Sequence, residues 1–68
     1  MARMTLRAAR VNRDLSQAQA AELLDISKDT LSRYERGISF PDVPTITKME
    51  EVYKVSYDDL IFSPEITV

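Results

Sequence analysis

Five polar or charged side chains recur at helical spacing near the middle of the chain: Lys28, Asp29, Ser32, Arg33 and Arg36. At about 100° per residue they fall within an arc of roughly 140°, while Leu31 and Tyr34 point nearly opposite. Ammonium, hydroxyl and guanidinium groups on one face suit a groove lined with phosphates and base-edge acceptors. The spacing therefore predicts a helix with one packing face and one binding face.

Two short helices joined by a tight turn would position this binding face. Ser16 and Gln19 can form a capping box that starts the first helix, and Ser27 offers a second N-cap after a short break. Gly37 is the expected left-handed stop of the second helix. The residues of the inner face are small or apolar: Ala20, Ala21, Leu24 and Ile26. This arrangement is typical of a bent helix pair, with helices at 16–24 and 28–36.

The sequence resembles the Cro/repressor-type (xenobiotic-response-element-type) helix-turn-helix DNA-binding proteins. The resemblance rests on LSQAQAAELLDISKDTLSRYERG from Leu15, extends upstream to Arg10, and continues downstream through PDVPTITKMEEVYKVSYDDLI. It implies an all-α fold, a compact five-helix domain over residues 5–61 with a central helix-turn-helix at 16–36. Residues 62–68 would form a C-terminal tail that could contact a second protomer.

The resemblance implies base contacts for four residues of the second helix of the motif: Lys28, Asp29, Ser32 and Arg33. Arg33 is the strongest candidate because its planar fork can bond both O6 and N7 of guanine. Asp29 has three open roles: an acceptor for cytosine N4, a partner that orients Arg33, or a favourable charge at the helix N-terminus. Arg36 is expected at a backbone phosphate, because base contacts concentrate toward the N-terminal part of such a helix.

Further phosphate contacts are expected where the first helix of the motif begins. Free amides and the helix dipole make the N-terminus at Ser16 and Gln17 an anion site, and the resemblance supports a phosphate there. The resemblance also implies that Arg10, on a first helix from Thr5 to Arg13, pairs with Glu35 and reaches phosphate. Desolvation would offset much of the attraction within such a pair.

Several positions depart from the family pattern. Asp25 stands in the turn where Gly is usual, at a position expected to be left-handed, which Asp tolerates at some cost. Leu23 replaces a usually polar residue, so it is either partly covered or forms an apolar surface spot. The loop 38–41 has Ile, Ser and Phe where relatives often carry basic residues, which lowers the expected affinity for the DNA backbone. Lys54 replaces the usual Gly stop.

The rest of the chain predicts two more helices and a dimer contact. Asp42 can cap a fourth helix that runs to about Tyr53, and Ser56 with Asp59 can form a capping box opening a short fifth helix through Ile61. The expected core residues of the fourth helix are Val43, Ile46, Met49 and Tyr53. Apolar side chains in excess of what the C-terminal end can bury are expected at a dimer contact: Tyr57, Ile61, Phe62, Ile66 and Val68.

Composition narrows the function further. The 68 residues suffice for one small domain and include no Cys and no His, so disulfides, thiolate metal sites and the commonest general base are excluded. We therefore expect no enzyme, no metal and no cofactor, and no small-molecule ligand is evident. A Ser/Lys hydrolase would lack an oxyanion-stabilising motif. The N-terminal segment has no apolar run that would suit a signal peptide or membrane span, which predicts a cytoplasmic protein.

Charge is unevenly distributed. The net charge is −2, but residues 1–36 carry seven Lys and Arg against five Asp and Glu, whereas residues 37–68 carry two against six. The basic half holds the motif, as a DNA-facing side would require. The sequence thus predicts a homodimeric regulator that binds an operator in duplex DNA, a repressor of phage or prokaryotic type. The alternative is a protein-interaction module, an antitoxin or antirepressor, which the negative net charge and the weakly basic loop favour.

Overall fold

The computed structural model describes residues 3–62 of the chain. Its α-helices are α1 (Leu6–Asn12), α2 (Gln17–Leu24), α3 (Lys28–Glu35) and α4 (Val43–Tyr53). Two short strands, β1 (Met4–Thr5) and β2 (Leu60–Ile61), flank the helices, and a turn of 3-10 helix at Tyr57–Asp59 precedes β2. The described residues thus form an all-α domain with one small strand pair.

Each α-helix begins at a side chain that caps its first turn. Thr5, Ser16, Ser27 and Asp42 each accept a hydrogen bond from the backbone N–H three residues later. Ser16 and Gln19 form the predicted capping box, with both hydrogen bonds present. These caps satisfy donors that a helix leaves without intrahelical partners, which is why the helices begin where the sequence indicates.

Left-handed residues are the C-caps of two helices, and Gly37, the predicted left-handed stop, has φ 78° directly after the C-cap of α3. Asp25 has φ 60° and ψ 42°, as predicted for the turn between α2 and α3. Lys54 has φ 58° and ψ 47° and ends α4, in place of the glycine that would adopt this conformation without a Cβ clash. A third left-handed residue other than glycine, Asp14, has φ 60° and lies in the connection between α1 and α2.

One apolar core joins all four helices to β2: Leu6, Ala9, Ala20, Ala21, Leu24, Leu31, Met49, Tyr53 and Leu60. The prediction that Val43 belongs to this core is wrong, because its side chain is 74% exposed. Val43 is the first helical residue after the Asp42 cap, so it lies at the open end of α4, whereas Met49 and Tyr53 lie further along the helix and are buried.

The predicted fifth helix is wrong. Leu60 and Ile61 instead form β2, which pairs in parallel with β1 in the register Met4 to Leu60 and Thr5 to Ile61. The Ser56 hydroxyl donates to the Asp59 carboxylate at 3.1 Å and does not cap a backbone amide, so the predicted capping box is absent. Pairing with β1 satisfies the backbone of β2 while Leu60 completes the core, and both gains favour a strand over a further helical turn.

Candidate nucleic-acid interface

The predicted base-contact residues share the solvent-facing side of α3. Lys28, Asp29 and Arg33 are exposed and Ser32 is half-buried, while Leu31 between them is fully buried in the core. Arg36, also exposed, is the C-cap of the same helix. One buried leucine thus fixes the helix against the domain and leaves its donor groups on the outside. We call the surface of Lys28, Asp29, Ser32 and Arg33 the α3 face.

Two charged side chains of the α3 face are paired to each other. Arg33 Nε lies 3.4 Å from Asp29 Oδ2, one helical turn away, and both side chains are largely exposed. An ion pair in such surroundings contributes little to stability, so it leaves the arginine free to exchange partners. Two of the three roles open to Asp29 agree with this geometry, because it contacts Arg33 and also lies in the first turn of α3, where a negative charge is favourable.

A buried ion pair holds α3 to α1. The structure brings Arg10 and Glu35 together: Arg10 Nε donates to Glu35 Oε2 at 2.7 Å, and Nη2 donates to Oε1 at 3.2 Å. Arg10 Nη1 donates to the Leu15 carbonyl at 2.8 Å. The side chains of Arg10 and Glu35 are only 9% and 4% exposed, so the guanidinium is directed at the protein, and a phosphate contact by Arg10 stays a prediction.

Glu35 also holds the start of α2. Gln17 Nε2 donates to Glu35 Oε1 at 3.0 Å, so one carboxylate joins α1, α2 and α3. The sequence analysis missed this contact because the two residues are 18 positions apart, and no local spacing relates them. Gln17 therefore has a structural partner in addition to its predicted contact with phosphate.

The N-terminus of α2 retains donors that could bind an anion. The capping box occupies the amides of Ser16 and Gln19, with distances of 2.9 and 3.1 Å to its side-chain oxygens. The amides of Gln17 and Ala18 donate to no protein acceptor in the part of the chain that the structure describes. These two N–H groups belong to the first turn, whose donors no helix can satisfy internally, and they are the groups that a phosphate would meet.

Tyr53 brings α4 to the same polar centre. Its hydroxyl is buried and has no hydrogen-bond partner among residues 3–62. Burial raises the pKa of Tyr53 to about 12, the negative charge of Glu35 adds to the increase, and the positive charge of Arg10 opposes it. A side chain from each of the four α-helices therefore lies at or near the Glu35 carboxylate. Arg10 of α1 and Gln17 of α2 donate hydrogen bonds to it, whereas Tyr53 of α4 is affected by its negative charge.

Apolar side chains are exposed beside the α3 face and elsewhere. Ile38 and Phe40, in the loop after α3, are exposed at positions where members of the resembled family often carry basic residues. Leu23 is exposed as well, so it forms an apolar surface spot and is not covered. Within the described residues, no helix is long and apolar enough to cross a membrane, and no cluster of acidic, His or Cys side chains could hold a metal.

The predicted dimer residues lie near the C-terminus of the chain. Tyr57 is exposed, and its ring lies against that of Phe62 with centroids 5.4 Å apart. Ile61 and Phe62 are half-buried. Two further candidates, Ile66 and Val68, lie outside the described residues.

Comparison with known proteins agrees with this geometry. A family model described as helix-turn-helix matches residues 6–60. The chain is 39% identical over 62 residues to the HTH-type transcriptional regulator ImmR of Bacillus subtilis, covering 91% of this chain and 49% of that protein. It is 32% identical to the cryptic phage CTXphi transcriptional repressor RstR of Vibrio cholerae, over 93% and 57% of the two chains. It is also 34% identical to the antitoxin PezA of Streptococcus pneumoniae, over 82% and 35%.

The chain spans about half the length of the first two of these relatives. No solved structure matches it significantly. The match to the family model covers most of the chain, including α1 to α4 and the residues of the α3 face. The chain belongs to the helix-turn-helix family of the Cro/repressor (xenobiotic-response-element) type.

Proposed function

We propose that this chain is a sequence-specific DNA-binding domain, residues 5–61, of a transcriptional regulator that represses by occupying a short operator. The observation that carries the proposal is the α3 face: a helix fixed by buried Leu31 and the Arg10–Glu35 pair that presents Lys28, Ser32 and Arg33 to solvent. A helix of this kind fits the major groove of B-DNA, where base edges offer acceptors.

Base recognition is assigned to the α3 face and backbone binding to its surroundings. Before DNA binds, Asp29 would orient the Arg33 guanidinium through its contact with Nε. On entering the major groove, Arg33 would leave Asp29 and bond O6 and N7 of a guanine. The free amides of Gln17 and Ala18 would bind one phosphate, and Arg36 at the end of α3 would bind another. Few basic residues surround the α3 face, so binding would depend more on the geometry of individual hydrogen bonds than on the total positive charge.

Repression is favoured by the names of two relatives. One relative is named a phage transcriptional repressor and another a transcriptional regulator. Repression by occupying an operator requires only a surface that binds DNA, and the described residues include one such surface, the α3 face. A single recognition helix reads too few base pairs to select one site, so we propose that the chain acts as a homodimer with its C-terminal end at the two-fold axis.

The proposal is tested by titrating labelled duplex DNA. A pool of random duplexes is first enriched for those that the chain retains, and the recovered duplex is compared with a shuffled duplex of the same composition at low and moderate salt. We expect much tighter binding to the recovered duplex and a loss of affinity for both as salt rises. Equal affinity for the two duplexes at each salt concentration would contradict sequence-specific recognition.

A second candidate function is protein interaction through the same fold. The exposed apolar side chains of Ile38, Phe40 and Val43 favour it, as does the likeness to a protein named an antitoxin. The same titration separates the two functions, because a domain that acts only through another protein would retain no duplex from the random pool. The α3 face would then be an unused remnant of the family's binding surface.

A further inference from the structure

Strand β2 forms one side of an open groove of about 470 Å³. Its lining combines apolar and charged side chains: Arg3, Tyr57, Asp58, Leu60, Ile61 and Phe62. Leu60 is buried beneath it, and the rings of Tyr57 and Phe62 lie against each other at its wall. The exposed lining is more polar than apolar, so a partner would have to match its charges as well as its apolar side chains.

The groove carries one positive and one negative charge. Arg3 and Asp58 are both exposed, and neither forms an ion pair with a residue in the described range, where the ion pairs are Arg10 with Glu35 and Arg33 with Asp29. The only polar contact of Arg3 in that range is from Nη2 to the Leu60 carbonyl at 3.5 Å, too long for a strong hydrogen bond. Among the described residues, neither charge therefore has an ionic partner.

This charge pattern is complementary to itself. A two-fold axis that passes through the groove between Arg3 and Asp58 exchanges their positions, so Arg3 of one protomer meets Asp58 of the other, and the reverse pair forms at the same time. Such reciprocity is the property of an isologous dimer interface. The apolar lining of both copies would then meet at the axis, between the two ion pairs.

We propose that a second copy of this chain occupies the groove, with Arg3 of each protomer paired to Asp58 of the other. The inference rests on the proposed homodimer and specifies its surface and its register. Rim charges of this kind select the partner and its orientation. Six residues line the groove, against roughly 20–30 on each side of a standard interface, so we expect a dimer that is weak in solution and is strengthened when two half-sites hold both copies on one duplex.

Charge reversal tests the pairing in the full chain. Arg3→Asp alone places two carboxylates opposite each other at both ends of the interface, and Asp58→Arg alone places two cations there. We expect each variant to self-associate about tenfold more weakly than the wild type in sedimentation equilibrium. An equimolar mixture of the two variants, and the double variant Arg3→Asp/Asp58→Arg by itself, should both recover the wild-type association.

The mixture is the decisive arm because it depends on contacts between chains. If the two residues act only within one chain, or if residues 63–68 of the same chain fill the groove, the mixture stays monomeric and the inference is overturned. Arg7→Asp, an exposed charge reversal on α1 outside the groove, is the matched control and should associate like the wild type. Thermal unfolding by circular dichroism establishes that every variant is folded.

Failure of this inference is distinguishable from failure of the proposed function. Binding to a duplex with a single half-site needs no dimer, so Arg3→Asp should bind it like the wild type. If the wild type binds DNA selectively while the reversals dimerise normally, the groove is not the interface and the regulator proposal stands. If the wild type retains no duplex at all, the regulator proposal fails, while sedimentation of the mixture still tests the groove.

Discussion

Two arginines of this domain carry the same guanidinium group in opposite surroundings. Arg10 is buried, with its donors committed to Glu35 and to the Leu15 carbonyl, whereas the Arg33 side chain is 54% exposed and has one long contact with Asp29. A buried, fully paired guanidinium stabilises an arrangement of helices, and an exposed one can exchange its partner for a ligand. We therefore assign base recognition to Arg33 and a structural role to Arg10.

The exposed arginines should differ in what they contribute to DNA binding. Arg33→Ala should cost about 1–3 kcal/mol on the selected duplex and relax one base position, because a bidentate contact to guanine is lost. Arg36→Ala should weaken binding to all duplexes and lower the slope of log affinity against log salt by about one. Titration of selected and shuffled duplexes measures both effects, with Lys48→Ala as an exposed control outside the proposed interface. Equal losses on both duplexes for Arg33→Ala would show that Arg33 does not read a base.

The hydroxyl of Tyr53 is buried without a hydrogen-bond partner in the part of the chain that the structure describes, so its removal should not destabilise the protein. Tyr53→Phe should leave the free energy of unfolding unchanged or raise it at neutral pH, because no hydrogen bond is lost. In the wild type the folded pKa is raised to about 12 from 10.0, so stability is full below pH 10 and falls as the pH rises toward the folded value. Tyr53→Phe should not show this contribution to the alkaline loss.

Denaturant titration at neutral pH and at about pH 11 measures the alkaline loss of stability in the wild type and in Tyr53→Phe. The loss arises because Tyr53 ionises at lower pH in the unfolded state than in the folded state. Tyr57→Phe, which removes an exposed hydroxyl, is the control and should keep the alkaline loss of the wild type. A clear destabilisation of Tyr53→Phe at neutral pH would mean that the hydroxyl does have a partner, such as a buried water.

At the scale of elements, Glu35 connects three helices through two oxygens. Removing one member of the Arg10–Glu35 pair leaves an uncompensated buried charge, so Glu35→Ala should cost about 3–5 kcal/mol, a large share of what a small domain has. The double replacement Arg10→Met/Glu35→Leu should cost less than the sum of the single changes Arg10→Met and Glu35→Leu. Denaturant titration of the four proteins closes the cycle, with Asp29→Ala, from the exposed pair, as a control expected to cost less than about 1 kcal/mol. Additive losses would mean that the pair has no coupling energy.

The start of α4 should respond to acid. Hydrogen bonds from Thr45 lower the pKa of the Asp42 carboxyl below its ordinary value of 3.8. The side chain of Thr45 has the larger effect and its backbone N–H the smaller one. The stabilisation by the charged cap is thus present above that value and is lost as the pH falls through the lower folded pKa. Asp42→Asn keeps an acceptor for the Thr45 amide without a charge, so it should be somewhat less stable than the wild type at neutral pH.

The stability difference between the wild type and Asp42→Asn should close as the pH falls below 3.8 and through the lowered pKa of Asp42, which thermal unfolding at several pH values measures. Glu51→Gln, an exposed carboxylate of α4 outside the cap, is the control and should follow the wild type. A difference that stays constant with pH would show that the charge of Asp42 does not contribute to the cap.

Local signals predicted the helices well and failed where distant residues decide the structure. The caps at Ser16, Ser27 and Asp42 act within one turn, so the sequence shows them directly. The Gln17–Glu35 contact depends on how α2 packs on α3, and no spacing indicates it. The Ser56 and Asp59 pattern predicted a helix, but backbone pairing of β2 with β1, at the other end of the chain, overrides that local preference.

For the whole molecule, the unequal charge of the two halves agrees with a DNA-facing side and a side that meets the partner. The basic N-terminal half contains α1, α2 and α3, while the acidic half contains α4 and Asp58 of the groove. Acidic residues close to phosphates would weaken binding, so a dimer joined at the groove can keep most of them away from the duplex. Because basic residues are few, we expect one copy to bind DNA weakly, and we propose that selectivity requires two copies.

The final prediction concerns the spacing of half-sites. Two recognition helices held by one two-fold axis should meet half-sites about 34–36 Å apart, one turn of B-DNA. Inserting about five base pairs between the half-sites turns the second one to the opposite face of the duplex, so affinity should fall to that of a single half-site. The duplex titration measures this loss, and a duplex with one half-site, lengthened in the same way, is the control and should bind unchanged. If affinity for the paired sites does not depend on the insertion, the two copies are not rigidly joined when they bind DNA, and each reads its half-site alone.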